Sequence, residues 1–153
     1  GGRAHHMPSS LFMDSSALFT GVASATGAAR ALLVLAEAGK ISVVVSQQVL
    51  VETERALARK LPQALPSYRK ALRATGMRIV PDPTTEELAP YRGLISHQAD
   101  LPILVAAMRE QVDFLVTHND HHFLRPEVQS GSGLRIGSPG DGLRWILAQL
   151  AAW

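Results

Sequence analysis

Four stretches of the chain each set a carboxylate or an amide where an apolar run stops or a helix should begin. They are Leu11-Phe12-Met13-Asp14, Ser46-Gln47-Gln48-Val49-Leu50-Val51-Glu52, Ala99-Asp100-Leu101-Pro102 and Val116-Thr117-His118-Asn119-Asp120. If these ends meet in space they form a hard-metal site. Carboxylates gathered in one pocket repel one another, and a cation such as Mg²⁺ or Mn²⁺ makes the gathering tolerable. Sites of that type serve phosphate chemistry.

Each of these residues also has a plainer role. Asp14 can start a turn with Ser15 and Ser16. Asp100, ahead of Leu101-Pro102, is a good helix N-cap, worth about 1 kcal/mol. Glu52 competes with Glu54: on a helical wheel Glu54 lies on the stripe of Leu50, Leu57 and Leu61, and Glu52 lies at the Val49 and Ala56 edge. Periodicity alone does not select Glu52. The run His118-Asn119-Asp120-His121-His122 invites a transition metal, since imidazoles suit Zn, Ni and Cu. With no cysteine, and only His97 elsewhere beyond the first seven residues, a closed zinc site is not expected. The run reads instead as a polar rim, in which His118 or His121 can touch a substrate phosphate. The Thr117 hydroxyl can bond a neighbouring carboxylate.

The elements that must position these groups follow from apolar runs and their punctuation. Leu11–Met13 is a short buried strand passing into a turn at Asp14-Ser15-Ser16, and a helix is expected from about Thr26 to Ala38, stopped by Gly39. Ile41–Val45 is a second strand. Ser46 can cap a helix carrying Glu52 that ends before Pro62. Ser67–Ala74 reads as helix and Met77–Val80 as strand, while Pro81–Pro90 carries no clear element. Leu101-Pro102 opens a further helix, and Phe114–Thr117 is a fourth strand. Ser130–Gly133 reads as a loop, Leu134–Ile136 as a fifth strand and Gly142–Trp153 as a closing helix. Strands alternating with helices predict an α/β fold in three layers, its mostly parallel, twisted sheet covered on both faces. Ligands of such sheets bind beyond the carboxyl ends of the strands, where Asp14 and Asn119 or Asp120 would lie.

Composition narrows the classes. The 153 residues are 46% hydrophobic, enough for one domain with a real core, and no cysteine is present. Gly1–Met7 reads as a cloning remnant before a native start at Met7, leaving 8–153 as a single domain. The longest apolar runs, such as Ala31–Ala36, fall far short of a bilayer span, so a soluble protein is expected. Fifteen lysines and arginines face 13 acids, and setting Arg3 aside leaves 14 against 13, a net +1. Total charge therefore says little about nucleic acid. Its distribution says more: Arg55, Arg59, Lys60, Arg69, Lys70, Arg73 and Arg78 occupy a stretch with no acid after Glu54. That stretch is either a solvated helical face or an arm that contacts phosphates. Arginine outnumbers lysine 12 to 3, which suggests a GC-rich bacterial genome.

Taken together, the four stretches resemble the boxes of PIN-domain ribonucleases, the family that includes VapC-type toxins. Met13-Asp14-Ser15-Ser16-Ala17-Leu18 resembles the first box, Ser46–Leu57 the second, Asp100–Ala107 the third and Leu115–Phe123 the fourth, with Arg135–Pro139 similar to the last strand and turn. The register of the second box selects Glu52 over Glu54. The chain departs from the family where Asn119 stands at a position that is often aspartate, and where His97, Gln98 and Ala99 replace an additional acid near Asp100.

The resemblance implies a metal-dependent endoribonuclease, the toxin of a type II toxin–antitoxin pair in the bacterial cytoplasm. Asp14, Glu52 and Asp100 would hold Mg²⁺ or Mn²⁺, with Asn119 or Asp120 completing the shell and Thr117 supporting it. One or two ions both remain open. Arg55, Arg59, Lys60, Arg69, Lys70, Arg73 and His118 are candidate RNA contacts, and a small antitoxin and a second copy of the chain are the expected protein partners. The departure at Asn119 motivates an alternative, a PIN scaffold that binds RNA or a partner without cleaving.

Overall fold

The computed structural model describes residues 8–119 and 121–152. Five strands, β1 (Ser9–Met13), β2 (Ile41–Ser46), β3 (Arg78–Val80), β4 (Phe114–Val116) and β5 (Ile136–Gly137), form one sheet in the order β3-β2-β1-β4-β5. All four pairings are parallel, with Leu11 opposite both Val43 and Phe114. Parallel strands need crossover connections, and the helices that supply them flank the sheet. These are α1 (Ser15–Ala23), α2 (Ala28–Glu37), α3 (Gln47–Lys60), α4 (Leu65–Ala74), α5 (Thr85–Leu88), α6 (Leu101–Arg109), α7 (Pro126–Ser132) and α8 (Pro139–Ala151).

The central strands are apolar on both faces because both faces are covered. Leu11, Phe12, Met13, Val43, Val44, Val45, Leu115 and Val116 are all buried, as are Leu104, Ala106 and Ala107 of α6. The expected α/β architecture and all five strands are present, with β5 displaced to Ile136–Gly137 from the expected Leu134–Ile136. Ser46 caps α3, its Oγ accepting the Val49 amide at 3.4 Å. Pro62 opens a 3-10 turn that ends the helix.

Three expectations are corrected. Asp14-Ser15-Ser16 is no simple turn but the N-terminus of α1, a nine-residue helix that buries Ala17, Leu18, Gly21 and Val22. Gly21 lies so close to α2 that an added Cβ would stand 2.9 Å from Leu33 Cδ1. Ser130–Gly133 is no loop either: α7 runs through Ser132 and Gly133 closes it with φ of 72°. Pro81–Pro90 contains α5, opened by a capping box in which Thr84 and Glu87 satisfy each other's backbone amides.

In this strand order the direction in which successive strands are added switches between β1 and β4. Crossovers from β1 leave toward β2, and β4 and β5 add on the other side. A crevice opens at the carboxyl ends of strands flanking such a switch point. The two segments that leave β1 and β4 there begin with Asp14 and Thr117.

Candidate functional site

Asp14 is extended (φ −78°, ψ 176°) and caps α1. Its Oδ1 accepts the Ala17 amide at 2.9 Å and the Ser16 hydroxyl at 2.7 Å; its Oδ2 accepts the Thr117 hydroxyl at 2.5 Å. The residue is only 4% exposed. Burial, the largest influence, pushes its carboxyl above the ordinary 3.8, and the nearby Asp100 carboxylate adds to the push. The bonds from Thr117, Ser16 and Ala17 oppose it without reversing it. A buried carboxylate disfavoured as an anion, with an acidic neighbour, is the environment that a divalent cation relieves.

Thr117 is fully buried, and its hydroxyl has two tasks. It donates to Asp14 and accepts the Asn119 amide at 2.8 Å. One residue on, the His118 amide donates to Ser16 Oγ at 3.1 Å. The segment leaving β4 is thereby fastened to the first turn of α1.

Glu52 reaches the same edge from the second turn of α3. Its Oε1 accepts the Ser15 hydroxyl at 3.0 Å, and its Oε2 accepts the Gln48 amide at 3.2 Å. Gln48 Nε2 also donates to the Ala99 carbonyl at 2.8 Å, linking α3 to the segment that carries Asp100. Glu54 faces elsewhere, accepting the Tyr68 hydroxyl of α4 at 3.1 Å. Burial and that carboxylate together raise the Tyr68 phenol well above its ordinary range. Geometry thus separates the two glutamates that periodicity left open.

Asp100 occupies the N-cap position of α6 but makes no capping bond with its side chain. A 3-10 turn, Gln98–Asp100, ends on it and holds it in helical backbone geometry. Its Oδ2 instead meets His122 Nδ1 at 2.7 Å and Asn119 Nδ2 at 3.4 Å. Asn119 Oδ1 accepts the His122 amide at 3.0 Å. His122 Nδ1 stands between two groups: protonated it donates to Asp100, and unprotonated it accepts from Asn119 Nδ2, 2.9 Å away. The His97 ring stacks on His122, with centroids 4.4 Å apart and planes 15° from parallel. Donor atoms of His97, Asp100 and His122 all lie within 4.8 Å of one another.

Of the expected site residues, Asp14, Glu52, Asp100, Asn119 and Thr117 converge at the carboxyl edge of the sheet. Asp120 lies outside the described residues. His97, His122, Gln48, Ser15 and Ser16 also belong to the cluster, although their residue types and spacing pointed to no role or to a different one. Within the 118–122 run, His122 is the histidine on Asp100, while His118 lines the cavity beside Glu52. The donors fit a hard divalent cation, with carboxylate oxygens on Asp14, Glu52 and Asp100 and an amide oxygen on Asn119. Two imidazoles beside Asp100 widen the fit toward Mn²⁺ and later metals.

The candidate RNA contacts divide. Lys60 and His118 line a cavity of about 410 Å³ together with Glu52. Lys70 lines a different one with Arg30 and Glu37. Arg55, Arg59, Arg69 and Arg73 are exposed along α3 and α4.

Solved structures share the fold. VapBC2 from Rickettsia felis, bound to a DNA fragment from their promoter, matches with a TM-score of 0.60 at 20% identity over 84% of this chain and 98% of that one. PAE2754 from Pyrobaculum aerophilum matches with a TM-score of 0.61 at 17% identity over 92% and 96%. No curated protein matches the chain. A family model, described as PIN domain, matches residues 10–121. That span runs from β1 through β4 and includes every carboxylate of the cluster, and the chain belongs to the PIN-domain family.

Proposed function

We propose that this protein is a metal-dependent endoribonuclease and the toxin of a type II toxin–antitoxin pair. The observation that carries the reading is Asp14: a buried carboxylate, raised by burial and by Asp100, fixed between α1 and the segment leaving β4. In it Asp14, Glu52 and Asp100 hold Mg²⁺ or Mn²⁺, and Asn119 or Asp120 completes the shell. When bound, the cation supplies a water of lowered pKa and charge compensation at the scissile phosphate.

The chain's own residues orient that arrangement. Thr117 and Ser16 aim the two Asp14 oxygens, and Ser15 and Gln48 aim those of Glu52. His122 fixes the Asp100 carboxylate, as a metal-bound carboxylate's outer partner does. Lys60 and His118 supply positive charge and a donor for phosphate on the Glu52 side. The likeness to a VapBC structure supports a small antitoxin as partner. A homodimer and a bacterial cytoplasmic location complete the proposal.

One observation favours a second reading. Asn119 donates its amide to Asp100 where a fourth carboxylate would enlarge the negative charge, as expected of a scaffold that binds RNA without cleaving it. Cleavage of a labelled RNA panel in EDTA, Mg²⁺ or Mn²⁺, beside Asp14→Asn, separates the two. Metal-dependent cleavage lost in the variant supports the nuclease. RNA retention with no cleavage in any metal supports the scaffold.

A further inference from the structure

Helix α2 buries Ala29, Leu32, Leu33 and Ala36 and turns its other side outward. At about 100° per residue, Arg30, Val34 and Glu37 fall on that outer side within about 60° of one another, with Ala31 and Leu35 to one flank. Helix α8 packs against α2 and extends the surface with Leu143 and Leu147, one turn apart. Together with Ala31, Val34 and Leu35 they wall a cavity of about 510 Å³ that Arg30 borders. Val34 and Leu147 are each 50% exposed. Among the described residues the other large apolar side chains so exposed are Val51 and Ile79, and neither lines this cavity. An apolar face shared by two helices and rimmed by charge marks an interaction surface.

The charges on the rim select what can cover it. Arg30 and Glu37 stand on either side of Val34 along α2. Seven residues of helix hold them about 10 Å apart, too far to pair with each other. Neither they nor Lys70, which lines a smaller cavity beside them, makes an ion pair among the described residues. An acidic segment laid on this face would satisfy Arg30 and repel Glu37, and a basic one would do the reverse. A fitting partner carries both signs in the opposite order, about 10 Å apart, with an apolar residue between them. A second α2, turned antiparallel about Val34, supplies all three. Arg30 of each copy then meets Glu37 of the other, and the two Val34 side chains meet on the axis, the self-complementary contact of a two-fold dimer.

We infer that the face formed by α2 and α8 is where two copies of this chain pair, around a two-fold axis through Val34. Leu143 and Leu147 close over the flanks of the α2 pair. Neither helix carries Asp14, Glu52, Asp100 or Asn119, so each copy keeps its own carboxylate cluster. The inference rests on the homodimer of the proposed function and names its surface, and it is independent of the cleavage chemistry.

The test uses the whole protein. Sedimentation from about 1 to 200 µM reads the dimer Kd. Val34→Glu, which sets two like charges on the axis, and Leu147→Glu should each raise it about tenfold or more. Arg30→Glu and Glu37→Arg should each raise it about fivefold. The chain carrying both exchanges should return to within about twofold of wild type, because both pairs are rebuilt with their signs reversed. Circular dichroism and Tm show that each variant folds. The chain has no cysteine, so a single introduced thiol reports proximity alone. Val34→Cys should form a disulfide-linked dimer under mild oxidation, since residues on the axis bring their Cα atoms within the roughly 7 Å that a disulfide spans. Ala58→Cys, exposed on α3, should not. A wild-type dimer that these variants leave intact, or a double exchange that fails to restore pairing, overturns this surface and leaves the homodimer and the nuclease standing. A wild-type chain that stays monomeric to about 200 µM overturns the homodimer with its surface and leaves the face to a different protein. Failure of the nuclease reading in the RNA cleavage assay moves none of these readouts.

Discussion

Thr117→Val is the sharpest probe of how the site is held. The substitution keeps the shape of a fully buried side chain and deletes a hydroxyl that donates to Asp14 at 2.5 Å and accepts from the Asn119 amide at 2.8 Å. A hydrogen bond to a charged group contributes about 1.5–3 kcal/mol, and an amide left without its acceptor costs about 1 kcal/mol where it is only half buried. The total is about 3 kcal/mol. At about 2–4 °C per kcal/mol for a chain of this size, Tm should fall by about 6–12 °C. Thr117→Ser keeps both bonds and loses one buried methyl, costing about 1 kcal/mol and about 2–4 °C. Thermal and urea unfolding of the metal-free proteins at pH 7 measure both. The valine variant should also lose more stability at high pH than at low pH, because removing the Thr117 bond lifts the Asp14 carboxyl further. Equal Tm values for the valine and serine variants would refute the claim that this hydroxyl sustains a buried anion.

The remaining expectations concern the carboxylates and their partners. The Asp14 carboxyl is raised by folding, so the native state holds its proton more tightly than the unfolded chain does. This contribution to metal-free stability is complete below the ordinary 3.8 and is lost as pH rises through the raised value. Mg²⁺ or Mn²⁺ should restore Tm above that window, and Asp14→Asn should flatten the profile and lose the metal response. In cleavage assays, Glu52→Gln should lose most activity, whereas Glu54→Gln, whose partner is Tyr68, should keep it within about twofold and change stability by no more than about 1 kcal/mol. His122→Ala removes the group that fixes Asp100 and should weaken Mn²⁺ binding by about 10–100-fold, as read by calorimetry.

Much of the fold was legible in the chain because its signals are local. Buried parallel strands are short apolar runs, so Leu11–Met13, Ile41–Val45 and Phe114–Val116 stand out, and Ser46, Pro62 and Pro102 mark helix ends by their own chemistry. Three helices escaped, two of them for contrasting reasons. Helix α1 begins with two serines that mimic a turn, and its Gly21 is placed for close packing on Leu33 rather than for helix propensity. Helix α7 ends in Ser130-Gly131-Ser132, a poor helical segment by itself, but Val128 is buried and Gly131 lies against Leu94. Tertiary packing outweighs propensity differences of about 1 kcal/mol per residue.

The site divides along the same line. The sequence by itself determined which carboxylates stand at strand ends and helix starts, and so which of them a parallel sheet carries to one edge. Periodicity left Glu52 and Glu54 open and only the family register chose Glu52; tertiary structure supplies the physical reason, because the two differ by about 200° around α3 and only one side meets α1. Tertiary structure likewise turned Asp100 from a capping residue into the partner of His122, 22 positions away, and stacked His97 on that ring. Periodicity reports which face of an element is buried. It carries no information about which loop arrives at a given carboxylate, because that depends on crossovers fixed by the packing of the whole sheet.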